Sequence, residues 1–123
     1  LTIFGKLFVD KEGKIVDTGR PLTAGEIALA ESIYGSMIDY SDVTVYNKSF
    51  APLMRISAPN GNVYYSKGYS EKRALYADDI SKLGYEAQAT LIHELFHVYQ
   101  HQQGTRVLFE RLGDTLGSVA QIA

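Results

Sequence analysis

A chain of 123 residues, 46% hydrophobic and 21% charged, can bury one core and has no room for a second. A net charge of -2, with 12 scattered Lys and Arg, argues against a nucleic-acid binder, and no apolar stretch approaches the ~20 residues of a membrane span. The absence of cysteine excludes a disulfide scaffold, Cys-ligated zinc and a thiol nucleophile, so any metal site must be built from His, Asp and Glu.

The chain begins at Leu1 rather than Met and ends on the apolar run Val119 to Ala123, so residues 1–123 are expected to be a single domain excerpted from a longer polypeptide. Residues 3 to 17 read as a hairpin: Ile3-Phe4 and Leu7-Phe8-Val9 face Ile15-Val16 across a turn containing Gly13. Thr18 to Pro21 read as a loop. Thr23 followed by Glu26 has capping-box spacing, and Ile27, Ala30, Ile33, Tyr34, Met37 and Ile38 give the helix behind it a core-packing face running to about Asp39. Val43 to Tyr46, Leu53 to Ile56 and Val63 to Tyr65, with Asn60-Gly61 as a turn signal, predict a small antiparallel meander. Residues 67 to 83 read as irregular.

Glu86 to Gln103 contains neither Pro nor Gly, and Gly104 is expected to stop this helix. With His93 set at 0° and 100° per residue, Leu91, Ile92, Leu95, Phe96, Val98 and Tyr99 fall between about 140° and 300°. Glu86, Thr90, His93, Glu94, His97 and His101 fill the remaining stripe between about 0° and 100°, which therefore carries all three histidines of the chain. Thr105 is expected to cap a third helix with Val107, Leu108, Leu112, Leu116 and Val119 on its apolar face.

His93-Glu94-Leu95-Phe96-His97 spells H-E-x-x-H, a match that shuffling this composition yields in roughly 0.3% of chains. Residues i and i+4 share a helix face, so both imidazoles can meet one Zn2+ at ~2.0–2.1 Å. Glu94, 100° further round, is placed to touch a zinc-bound water rather than the ion, and is the candidate general base for peptide-bond hydrolysis. For a third ligand, Gln100 and Gln103 exclude the metzincin extension. His101 is eight residues from His93, ~12 Å along the axis, too far for three stacked imidazoles to converge. A carboxylate on a following helix remains: Glu110 is the preferred metal ligand, with Asp114 one turn further and a residue beyond Ala123 as alternatives.

Leu22 to Glu26, Ile33 to Gly35, Ile38 to Val43 and Leu91 to Gln100 together resemble the zincin-type metallopeptidase domains at the C-termini of bacterial polymorphic toxins, including extensions of type VI secretion spike (VgrG) and Rhs proteins. The resemblance spans about residues 20 to 104. It implies zinc at His93 and His97, Glu94 as base, a protein or peptide substrate, and a cognate immunity protein. It also implies a secreted antibacterial effector acting in the target-cell periplasm or cytoplasm. The expected fold is α+β and zincin-like. A small antiparallel sheet lies over the H-E-x-x-H helix with a second core helix behind, and an edge strand at 53–57 or 62–66 aligns the substrate. The alternative is a catalytically inactive zincin-like binding module of a larger secreted protein.

Overall fold

The computed structural model describes residues 2–4, 7–9 and 15–122 apart from 51–54, with side chains over 19–50 and 55–105. The fold is α+β. β1 (Thr2–Phe4), β2 (Leu7–Val9) and β3 (Ile15–Thr18) form an antiparallel three-stranded sheet, with an irregularity in register at Phe8/Val9. The hairpin expected from the sequence is thus a meander with one strand more.

The second sheet sets the core. β4 (Arg20–Pro21) pairs antiparallel with β5 (Thr44–Tyr46), and β5 pairs with β6 (Val63–Tyr64) in parallel. Two expectations are corrected here. Arg20-Pro21 is a strand rather than a loop, and the 43–66 meander is not wholly antiparallel. The connection over 47–62 is long enough for a parallel return. On the way, Ser57 makes an antiparallel bridge to Tyr64, with backbone N···O distances of 3.0 and 2.8 Å. The strand expected at Leu53 to Ile56 falls partly outside the described residues.

α1 (Ala24–Tyr34) starts as its sequence predicts: Glu26 N–H donates to Thr23 Oγ1 and Thr23 N–H to Glu26 Oε1, completing the capping box. It ends earlier than expected, because Gly35 adopts φ 57° and its N–H turns back to the Glu31 carbonyl. Ala30 and Ile38 are buried, but Ile33 and Met37 are 55% and 51% exposed, so only part of the expected face packs. α2 (Lys67–Arg73) and a 3-10 turn at Ile80–Lys82 occupy the stretch expected to be irregular.

Glu26 joins these pieces. Its fully buried carboxylate accepts from both Arg20 Nη atoms at 2.9 Å and from the Ile80 N–H at 2.7 Å. Arg20 also donates to the Tyr76 hydroxyl (3.1 Å) and the Ala77 carbonyl (3.0 Å). Burial alone would lower the Arg20 pKa, yet hydrogen bonds to Glu26 and Tyr76 carry it above its ordinary value. One ion pair therefore ties β4, α1 and the 80–82 turn together beneath the last helix.

That helix, α3 (Tyr85–Ile122), runs 38 residues without a break. Leu91, Leu95 and Val98 are fully buried against Val43, Val45, Val63 and Tyr65, as the 100° projection predicts. Phe96, placed on the apolar arc, is 45% exposed. Gln88 Nε2 holds the start of α3 to the Ser81 and Leu83 carbonyls, at 2.9 and 2.8 Å. Further along, the Tyr34 hydroxyl donates to the Ile92 carbonyl (2.7 Å), and the Gln102 amide exchanges two hydrogen bonds with the Asp39 backbone. The stop expected at Gly104 is absent. One glycine costs a helix only about 1 kcal/mol, and Gly104 is not among the positive-φ residues. No helix among the described residues is long and apolar enough to cross a membrane.

Candidate metal centre

The fold brings the three residues of the H-E-x-x-H motif to one cavity. His93 and His97 stand one turn apart on the exposed side of α3, while Glu94 is only 7% exposed. All three line a cavity of about 220 Å³ whose facing wall is formed by residues 55–59, the segment that bridges to β6 through Ser57. The hydroxyl of Ser57 is buried in that wall with no hydrogen-bond partner.

The two imidazole ring centres lie 5.1 Å apart with their planes at 81°. Two imidazoles bound at ~2.0–2.1 Å to one tetrahedral ion have ring centres about 5 Å apart, a spacing that this pair matches. His97 Nδ1 lies 3.0 Å from Gln100 Oε1. With Gln100 Oε1 as acceptor, a neutral His97 would carry its hydrogen on Nδ1 and leave Nε2 for a ligand. In the sequence Gln100 breaks the metzincin pattern and closes the run Leu91 to Gln100 that carries the resemblance, but neither reading gives it a contact with His97. Its i+3 spacing from His97 was the signal for this second role.

Glu94 is buried deeper than its place on the polar stripe suggests. Burial pushes its carboxyl above the ordinary value, and positive charge on His93, His97 and Arg55 opposes that rise. A carboxyl held in this way is a better proton acceptor than an exposed one.

The remaining candidates lie elsewhere. His101 covers the Asn60-Gly61 turn: a Cβ at Gly61, which has φ 86°, would come within 2.8 Å of His101 Nδ1. His101 lines a separate groove of about 420 Å³ with Asp39 and Asp42. Glu110 was expected to return on a following helix. It instead sits in the unbroken α3, thirteen residues beyond His97 and about 20 Å along the axis, and Asp114 is further still. The side chains of both lie outside the described residues. Among the described residues no group of three or more His, Asp or Glu is gathered to hold a metal. Arg55 and Ser57, in the wall facing the motif, were not singled out in the sequence, since nothing in their spacing ties them to α3.

No protein-family model matches the chain. Over 99 residues, 78% of its length, the chain is 37% identical to the type VI secretion system spike protein VgrG2b of Pseudomonas aeruginosa, of which it spans 9%. The solved effector domain of Pseudomonas aeruginosa VgrG2b superimposes with a TM-score of 0.62 at 36% identity, covering 71% of this chain. The chain thus spans about half (48%) of that effector domain, and the likeness extends to fold as well as sequence.

Proposed function

We propose that this chain is the zinc-dependent peptidase region of a secreted effector, with His93 and His97 as metal ligands and Glu94 as general base. The observation that carries the reading is the 5.1 Å pairing of the two imidazoles beside a buried carboxylate in one cavity. The likeness to an effector domain of a type VI spike protein supports a secreted effector. A target in another cell's periplasm or cytoplasm and a cognate immunity protein as partner are part of the proposal.

Bound zinc would supply Lewis-acid chemistry, making water acidic and polarising a carbonyl. The chain's own residues do the rest. His93 and His97 hold the ion with neutral imidazoles, and Gln100 fixes the His97 ring. The 55–59 segment offers backbone along one wall, where an extended peptide can lie in register with the sheet. Glu94 takes a proton from the attacking water and delivers it to the leaving amine. Glu110 completes the ligand set only if α3 breaks at Gly104.

Zinc-loaded protein is expected to cleave members of a broad peptide library, to stop when a chelator is added, and to resume when zinc is restored. A library left intact by zinc-loaded protein would instead support an inactive binding module, a reading favoured by the lack of a third ligand among the described residues. Gln100→Ala should weaken zinc retention about ten-fold, the lower end for an outer partner of a metal-bound His. Competition with a chromophoric chelator measures this, and the melting temperature of the metal-free protein should not change.

A further inference from the structure

A second cavity, of about 270 Å³, adjoins the first, and Arg55, Ile56 and Glu94 line both. Buried Leu75 also lines it, as do Tyr69 and Arg73 of α2. The Arg73 guanidinium lies 3.7 Å over the centre of the Tyr69 ring and donates to the Tyr69 carbonyl at 3.2 Å. These contacts place the exposed Arg73 head group at the rim. Neither Arg73 nor Arg55 is within ion-pair distance of a carboxylate among the described residues. Glu86 and Glu94 both stand on the α3 wall of this cavity, and Glu94, which also faces His93 and His97 in the first, feels the charge of Arg55. Two exposed guanidiniums and two carboxylates, Glu86 and Glu94, thus line this pocket, and because neither arginine is ion-paired with them, both keep donors open to a ligand.

A guanidinium presents parallel N–H donors that match a carboxylate, and it binds most tightly when its own orientation is already fixed. Resting on the peptidase reading, we infer that this cavity is a substrate subsite that takes a carboxylate next to the bond being cleaved. The carboxylate is either an Asp or Glu side chain or a chain-terminal carboxylate. Tyr69 and Leu75 pack its aliphatic stem, Arg73 and Arg55 bind its oxygens, and the shared wall sets the neighbouring peptide bond beside Glu94.

The test uses zinc-loaded protein and peptides that differ at one position flanking the cleaved bond, carrying Glu, Gln or Lys, each with a free and an amidated C-terminus. Wild type should favour a carboxylate at least ten-fold in kcat/KM. Preference for Glu over Gln in amidated peptides identifies a side chain as the occupant, and dependence on the free C-terminus identifies a terminal carboxylate. Arg73→Glu should lower the carboxylate preference at least ten-fold and move it toward Lys. Equal cleavage of all peptides, or an unchanged preference in Arg73→Glu, overturns this inference while the peptidase reading stands. Cleavage of none by zinc-loaded protein overturns both.

Discussion

Glu94→Gln should fold, retain zinc and lose peptidase activity by at least ~10²-fold, the usual contribution of a general base. The amide keeps the size of the side chain and its place in the cavity wall, but it cannot accept a proton from water. Loss of stability is not expected. Burial disfavours the ionised carboxyl of Glu94 by more than His93, His97 and Arg55 favour it, so a neutral group of the same shape removes a cost larger than the attraction lost. Bacteria expressing the wild-type domain in the compartment of its target should grow poorly, and Glu94→Gln should relieve this. Equal activity or equal toxicity in the two proteins would show that Glu94 takes no proton in the reaction.

The largest effect on stability is expected at Glu26, far from the motif in sequence. Glu26→Ala removes the acceptor for both Arg20 Nη atoms and for the Thr23 and Ile80 N–H groups. It leaves a guanidinium only 19% exposed without its counter-charge. Breaking one side of a buried pair costs about 3–5 kcal/mol, which for a domain of this size lowers the melting temperature by roughly 10–20 °C. Calorimetry measures this, and a fall of under about 3 °C would mean that the pair does not hold β4, α1 and the 80–82 turn together. Because that turn supports the start of α3 through Gln88, zinc retention should weaken with stability in this variant.

The parts of the fold legible in the sequence are those fixed by local spacing. Thr23 and Glu26 announced their capping box, and the 100° projection picked out Leu91, Leu95 and Val98 as core and His93 and His97 as neighbours on one face. What escaped depends on partners distant in the chain. Nothing in Arg20 signals that it will pair with Glu26 inside the core, and alternation in Val43 to Tyr46 does not say whether a later strand runs parallel or antiparallel to it. α2 buries only Ser70 and so shows no apolar period. Gly104 looked like a stop because glycine often ends helices, but a single glycine costs a helix only about 1 kcal/mol, and α3 runs through it although Val107, Leu108 and Leu112 fall outside the apolar arc of the preceding turns. The candidate site was legible as far as α3 supplies it. Its facing wall, with Arg55 and Ser57, comes from a segment whose position is set by the bridge to Tyr64.

The central claim is that His93 and His97 hold one zinc ion. The direct measurement is zinc per chain by elemental analysis of purified wild type and His93→Ala, alongside thermal melting with and without chelator. About one zinc per wild-type chain, far less in His93→Ala, and a chelator-induced fall in the wild-type melting temperature are expected, since a ligand bound only by the folded state stabilises it. Wild type that takes up no zinc when zinc is supplied, with melting indifferent to chelator, would contradict the account.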